Sequence, residues 1–579
     1  MTFPTLKPPA AGQQIIDVFG GYDHRDRIAA GSFYETENLS SDAYPCASPR
    51  KARGVRKKSA GRRATAMLPG HRLIYAADGK LWVEDEPVME LTDEEPKTLI
   101  AMGAYVVVLP DKVYYNTADP EDRGAAEAAF EAAGNATYRI CRSDGTDYES
   151  APAAQSSAPE DPADQDLWID TSGEKHVLKQ YAASSGMWTI VATTYVRISA
   201  EGIGAGFFDG DGVRIGGIPE EAGQLTEFNG KDVILTHVEA DAVVITGILD
   251  AEVSAPGLTL SRRWPELDYA FECGNRLWGC RYGKDADGKF VNEIYASKLG
   301  DLRNWRCYAG VSTDSYAATV GSDGPFTGAC ALNGYPLFFK EHCLHKVYGA
   351  YPAAYQIQQY AGFEGVEAGS GGSLTAAAGL LYYKSSTGIC VYDGASPRLI
   401  SEALGNERYH AATAGTWENK LYVSMLDEME TAHMFVYDLA RGIWYREDGA
   451  RAEAFAAAEN TLYYIENGEI RTVRGEDGKR VIWRAETGPM GLGETGQKRV
   501  IRLTLRVTLT MGSRMTVYIL YDDETVPVHA ATVTGASMRS FTLPILPRRC
   551  DHFRLRLEGE GQFLLHSIAQ VTQEGSVIT

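Results

Sequence analysis

The sequence predicts an all-β chain: a β-propeller of six or seven blades, with an inserted small β domain and a C-terminal β-sandwich. Three observations carry that prediction. A strand–turn–strand unit recurs seven times, Gly and Tyr are abundant at 60 and 32 of 579 residues, and strict apolar–polar alternation marks the C-terminal part. Gly supplies the positive φ of tight turns and Tyr favours half-buried strands, so many short strands joined by tight turns are expected.

The units begin at Arg72 to Val83 (RLIYAADGKLWV) and Ala104 to Asn116 (AYVVVLPDKVYYN). Asn275 to Gly283 (NRLWGCRYG) pairs with Asn292 to Lys298 (NEIYASK), followed by Gly334 to Gly349 and Gly379 to Gly394. Asn419 to Asp427 with His433 to Trp444, and Asn460 to Val473, complete the series. Outside one gap the spacing is roughly 30 to 60 residues, near the period of a propeller blade. A hairpin buries one face only and needs a neighbour on each side, which radial repetition supplies. Asp78-Gly79 and Asn467-Gly468 sit where a two-residue hairpin turn needs them.

The gap divides the chain into four expected regions: an N-terminal arm with the first blades (1–117), inserted β modules (118–262), the remaining blades (263–487) and the sandwich (488–579). Residues 119–134 are Ala- and Glu-rich and read as a short helix, and 151–162 reads as an Ala/Ser/Pro-rich linker. Strands are expected at DLWID (166–170), HVLKQY (176–181), MWTIVATTYVRI (187–198) and within 231–248. In the last region, Ile501 to Thr510 and His552 to Leu557 alternate as half-buried antiparallel strands do, alongside MTVYIL (515–520) and 562–574.

The formal charge of −21 keeps such a chain soluble and disfavours a conventional nucleic-acid binder. Nine scattered Cys without a CxxC pair read as free thiols in a reducing compartment, and no apolar leader or 18-residue apolar run is present. HExxH, GxSxG and GxxxxGK[ST] are absent, so neither an enzyme nor a cofactor is expected. Gly369 to Ser373 reads as a loop rather than a phosphate cradle, and Asp209-Gly210-Asp211 as a tight turn rather than a calcium loop. Ser322 to Thr327 matches a sialidase-type Asp box only in part. His342, Cys343 and His345 would alternate faces on a strand, which breaks a metal site.

Two groups of residues are candidates for binding. Arg50, Lys51, Arg53, Arg56, Lys57, Lys58, Arg62 and Arg63 place eight cations in 14 residues with no carboxylate among them. That local inversion suits contact with an acidic partner during assembly, or a solvated loop balanced by the chain's own acid. Trp168, Tyr181 and Trp188 are the insertion's natural stacking residues for a glycan, with core packing as the alternative.

Ordered motifs add a resemblance. Phe19-Gly20-Gly21, Glu35 to Ser40 and Tyr44 to Arg50 are similar to the opening of structural proteins of tailed phages and prophages of Gram-positive gut bacteria. Asn275 to Gly279, Glu293 to Ser297 and Asp301 to Trp305 (DLRNW) resemble the central pattern of short-tailed phage nozzle, or tail-hub, proteins, also called DNA-stabilisation proteins. Leu337 to Lys340, Val347 to Gly349, Gly388 to Gly394, Arg554 to Gly559 and Glu574 to Ser576 fit later blades and the closing sandwich. The insertion lies outside the resemblance. The resemblance implies a virion tail component assembled in the host cytoplasm. Its partners would be further copies in a ring, usually a hexamer, the portal and adaptor, other tail proteins and the genomic DNA passing through. An acidic channel wall would let that DNA slide. A receptor- or glycan-binding tail protein contacting the host surface is the alternative.

Overall fold

The protein was analysed as a computed structural model, which describes residues 11–475, 480–493 and 496–574. Among these residues the only helices are short 3-10 turns, and almost all regular structure is strand. The fold is a β-propeller with an inserted β module and a C-terminal β-sandwich. Seven four-stranded sheets are its blades, and each recurring sequence unit is the central hairpin of one. Blade 1 spans residues 64–90, blade 2 98–125, blade 3 269–319, blade 4 328–361, blade 5 375–399, blade 6 409–448 and blade 7 454–472. Both expected turns form, with φ of 51° and 68° at Asp78-Gly79 and of 52° and 78° at Asn467-Gly468.

The described residues fall into two compact units. One takes residues up to 98, 339–344 and those from 361 onward; the other takes 99–338 and 345–360. In the first unit blades 5, 6, 7 and 1 pack face to face in that order. Tyr382 and Val391 of blade 5 meet Leu421 and Phe435 of blade 6. Tyr422 and Val436 then meet Leu462 and Tyr464 of blade 7, and Tyr463 and Ile465 meet Met67 and Tyr75 of blade 1. Blade 7 has only three strands of its own. Its fourth is Gly54–Val55, which pairs with Thr472 and Arg471. A Cβ at Gly54 would lie 2.4 Å from Thr472 Oγ1, so that close approach needs glycine.

The sandwich belongs to the same unit and is not built from the C-terminal segment alone. Ala11–Ile16 pairs with Phe563–Glu574, and Phe33–Glu37 pairs with Ile482–Thr487. The two stretches expected at 501–510 and 515–520 are one strand, Lys498–Tyr521, which bends at a register shift between Leu509 and Arg514. Its first half pairs with Phe563–Glu574 and its second with Phe553–Glu560, so one strand serves two faces of the core. Phe19, Phe33, Trp483, Leu503, Leu505, Val517 and Leu557 fill that core.

In the second unit, blades 2 and 3 share Ile100, Val107, Leu277 and Trp305, and Trp278 and Ile294 of blade 3 pack on Phe338 and Val347. The insertion is an eight-stranded sheet running from Ala128–Glu131 to Thr259–Arg262, curled around Tyr138, Ile198, Val243 and Leu260. A separate four-stranded sheet projects from it: Ala153–Gln155, Leu167–Asp170, Val177–Ala182 and Met187–Ile190. Three expectations need correction here. Residues 119–134 hold strands Arg123–Ala125 and Ala128–Glu131 instead of a helix, because partner strands overrode a helical composition. Ala153–Gln155, inside the expected linker, pairs in parallel with Leu167–Asp170. Residues 187–198 divide, Met187–Ile190 joining the small sheet and Tyr195–Ser199 the large one.

Candidate functional site

The small sheet brings Trp168, Tyr181 and Trp188 together. Trp168 lies opposite Lys179, and Tyr181 opposite Trp188, so all four share one face. Ile169 and Leu178, on the other face, are buried with Ile140 against the body of the insertion. The aromatic face therefore points outward. Trp188 stands edge-on to Trp168 at 5.4 Å and tilted against Tyr181 at 5.3 Å. Trp168 is itself buried: Lys179 Nζ sits 4.9 Å over its ring, and its indole N–H donates to Gln155 O at 2.9 Å. Tyr181 and Trp188 remain half-exposed. Lys179 also holds Asp170 at 2.7 Å. Hydrogen bonds from Lys179 and Ser172 keep the Asp170 carboxyl well below the usual carboxylate range. The arrangement offers two aromatic surfaces beside a fixed charge pair, which suits a ligand with both apolar faces and hydroxyls.

Of the two places expected for the basic run, contact with a partner or balance by the chain's own acid, three of its arginines take the second, on side chains that are buried rather than solvated. Arg50, Arg53 and Arg56 turn into the protein. Arg50 Nη2 donates to Asp448 at 2.7 Å and its Nε to Asn38 Oδ1 at 2.7 Å. Arg53 binds Asp448 at 2.6 Å and Glu447 at 3.0 Å. Arg56 grips Asp85 of blade 1 and lies 3.3 Å from Glu459 of blade 7. Arg62 stacks 3.7 Å over Trp82. The cations therefore fasten a strap that leads from the sandwich, through the fourth strand of blade 7, into blade 1. The run's balancing carboxylates come from two places: Asp85 lies 29 residues on from Arg56, whereas Glu447, Asp448 and Glu459 come from blades about 400 residues away, which spacing along the chain does not show. Lys51, Lys57, Lys58 and Arg63 stay on the surface. Of these, Lys58 faces Asp85 at 3.8 Å and Arg63 faces Glu95 at 3.8 Å.

The charge pattern of the strap follows from burial. Glu447 is pushed up by its own burial, with Arg53 and Arg50 opposing. Burial would also raise Asp448, but Arg53 and Arg50 together carry it below the ordinary carboxylate value.

The central motif residues form one buried network in blade 3. The Arg276 guanidinium donates to the carbonyls of Ser297 at 2.7 Å, Asp314 at 2.5 Å and Ser312 at 2.9 Å. Ser297 Oγ accepts the Leu277 N–H at 3.0 Å. Asn304 donates to Asp301 at 2.6 Å and to Asp211 at 2.8 Å, and accepts the Gly212 N–H at 2.9 Å. Asp211 also pairs with Arg262, the two side chains being 1% and 2% exposed. Sequence reasoning missed Arg262. The Asp-Gly-Asp turn thus serves as the root of the insertion, with Asp209 accepting the Val238 N–H at 2.7 Å.

A polar cleft of about 880 Å³ opens between blades 5 and 6, lined by Glu367, Lys384, Glu407, Tyr409, His410 and Glu430 among others. Lys384 pairs with Glu367 at 3.1 Å, His410 with Glu430 at 3.2 Å, and the Tyr409 hydroxyl donates to Glu407. Among the described residues no cluster of three or more His, Cys, Asp or Glu has the geometry to hold a metal. His345 is buried and 2.7 Å from Ser322 Oγ, while His342 is exposed. Ser370 and Ser373 of the Gly-Ser stretch are buried and cap backbone N–H groups of Ala412 and Lys384. All nine cysteines are free thiols, and no helix among the described residues is long and apolar enough to cross a membrane.

No family model and no curated protein matches the chain. Among solved structures it is similar to an exo-β-1,3-galactanase of Phanerochaete chrysosporium at 9% identity and TM-score 0.20, over 52% of this chain and 94% of that one. A bifunctional GH43-CE protein of Bacteroides eggerthii aligns at 9% identity and TM-score 0.20, over 54% and 64%. PorZ, a surface component of the type-IX secretion system of Porphyromonas gingivalis, aligns at 10% identity and TM-score 0.24, over 83% and 70%.

Proposed function

We propose that this chain is a structural subunit of a tailed-phage particle, of the nozzle or tail-hub kind, that forms a ring around the DNA channel below the portal and adaptor. One observation carries the reading: the motif residues on which the resemblance rests are joined in space. Asn38 and Arg50 of the opening motif bond to each other, Asn38 donates to Ile482 O at 2.8 Å in the sandwich, and Arg50 reaches Asp448 in blade 6. Arg276, Ser297, Asn304 and Trp305 of the central motif form the interior of blade 3. Side chains of this kind hold a scaffold together, and a scaffold role needs no chemistry from them. The reading is therefore non-catalytic. Electron microscopy of the purified full chain tests it. Rings with a central channel are expected, and a monomer that releases sugars from glycans would overturn it.

A second reading rests on the outward aromatic face of the small sheet. Tyr181 and Trp188 would stack on a saccharide of the host surface, making the insertion a recognition module. Binding of the full chain to host cell-wall glycans, lost in Trp188→Ala, is the expected result under that reading. Equal binding by both forms would dismiss it.

A further inference from the structure

The first half of Lys498–Tyr521 alternates between buried and outward residues with one interruption. Val500, Leu503, Leu505 and Val507 are buried, and Arg499, Ile501, Arg502 and Arg506 are exposed, the doublet at 501–502 marking a bulge. On one side lies Phe563–Glu574 and beyond it Ala11–Ile16; on the other lie residues 536–542 and Arg549–Cys550. These strands present one outer face to solvent. Residues 11–16, 498–509, 536–542, 549–550 and 563–573 contain no Asp or Glu, in a chain that has 77. Among the described residues Arg499, Arg502 and Arg506 have no carboxylate partner, and the same sheet also exposes Ile501 at 40% and, on Ala11–Ile16, Ile15 at 57%. The charge is segregated along the chain as well. Residues 498–574 hold ten Lys and Arg against seven Asp and Glu, so they carry +3 and the remainder −24 within the total of −21.

We infer that this arginine face of the sandwich is an assembly surface, and that its occupant is the acidic body of a second copy of the same chain. Charge complementarity selects that occupant: wherever one copy is present at high local concentration, its neighbours carry the opposite charge in large excess. Pairing of the face with itself is disfavoured, because a two-fold contact would bring together two arginine-bearing faces whose strands hold no Asp or Glu to offset the repulsion. The contact is therefore heterologous, one surface of each copy meeting a different surface of the next. Such contacts propagate around a ring when the rotation closes. Twelve residues of strand rise about 40 Å, and four strands spaced by about 4.8 Å make the face on the order of 600 Å². That approaches the ~800 Å² per partner of a stable specific interface. Ile15 and Ile501 supply apolar contacts inside the charged field. The inference rests on the ring reading above and names the surface that builds the ring.

The test uses the full chain, Arg499→Glu/Arg502→Glu/Arg506→Glu, and the matching Lys triple. Size-exclusion chromatography with light scattering is read at 50 and 500 mM salt, conditions chosen to span about a threefold change in Debye length. The wild type is expected to assemble at low salt and less at high salt. The Glu triple should need at least about tenfold more protein to assemble, with unchanged circular dichroism and thermal midpoint, and the Lys triple should assemble nearly as the wild type does. A Glu triple that assembles like the wild type overturns this surface and leaves the ring reading standing. A wild type that stays monomeric throughout overturns both. Loss of duplex-DNA retention in the Glu triple, with assembly unchanged, would reassign the face to nucleic acid and overturn the inference.

Discussion

The pair at the root of the insertion gives the sharpest energetic prediction. Arg262→Met removes a guanidinium that is 2% exposed and leaves Asp211, 1% exposed, without its counter-charge. It also strips two carbonyls of their donor, since Arg262 Nε donates to Ala126 O at 3.0 Å and Nη1 to Gly206 O at 2.9 Å. Removing one partner of a buried pair costs about 3–5 kcal/mol, because the remaining charge cannot be rehydrated in place. With a urea dependence of about 2 kcal/mol per molar for a unit of this size, the midpoint should fall by about 1.5–2.5 M. Trp264 and Trp305 lie 5.2 Å apart beside this root, so they contribute to the tryptophan fluorescence that follows the transition. Asp211→Asn in the Met background should recover part of the loss: it removes the stranded charge but keeps an oxygen for the Phe208 N–H at 2.9 Å. The reasoning fails if Arg262→Met shifts the midpoint by less than about 0.5 M, the equivalent of about 1 kcal/mol. It fails equally if the double variant is no more stable than the single one.

Three further outcomes are expected. Arg53→Met should loosen the strap by about 3–5 kcal/mol, since Glu447 and Asp448 would share Arg50 alone, and faster hydrogen exchange at residues 50–63 would show it. Acid should do the same. Asp448, Asp85 and Asp42 titrate below the ordinary carboxylate value when folded, so just below pH 4 the unfolded chain binds more protons and stability falls as pH falls. Glu447, raised by burial, has the opposite sign and favours the folded state as it takes its proton; exchange at 50–63 followed from pH 7 to 3 reads the sum. Gly217→Ala should destabilise the insertion, because φ is +74° and the new Cβ would fall 1.8 Å from Gly257 O; a lowered thermal midpoint checks it.

The blades were legible because a hairpin writes itself locally. Tyr114-Tyr115, Tyr382-Tyr383 and Tyr463-Tyr464 sit on central strands beside their turns, and both turn dipeptides carry the positive φ they encode. The aromatic trio was legible for the same reason, since Tyr181 and Trp188 belong to one hairpin. What escaped depends on distant partners. Arg50 to Arg63 reads as a free basic segment until Asp448 and Glu459 are brought beside it. Residues 119–134 have a helical composition, but Ala128–Glu131 forms a ladder with Thr259–Arg262 some 130 residues on. Arg262 gave no signal, because an Arg at the end of a strand, here followed by Arg263, is ordinary until an Asp is buried against it. Period-two alternation foretold the sandwich strands but not that Ala11–Ile16 would complete their sheet.

That last pairing constrains how the chain folds. Gln14 and Gln570 bond side chain to side chain at 2.6 Å, 556 residues apart, and blade 7 closes with Gly54–Val55. The first strands of the described chain thus wait for the last before either element is complete, and contacts of such separation form late because the loop-closure entropy must be met first. The arginine face shares this dependence. It is laid down on Lys498–Tyr521 but flanked by Phe563–Glu574 and, beyond it, by Ala11–Ile16. Until those strands dock, its edges are unpaired and its arginines have no flat sheet to stand on. On the inference drawn above, a surface built this way would meet another copy only when its own chain has finished folding. A sandwich formed from the last eighty residues alone would carry no such coupling. Deleting residues 11–16 separates the two cases: the blades should keep their tryptophan fluorescence while self-association is lost. A deletion that leaves self-association intact would show that the face needs no first strand.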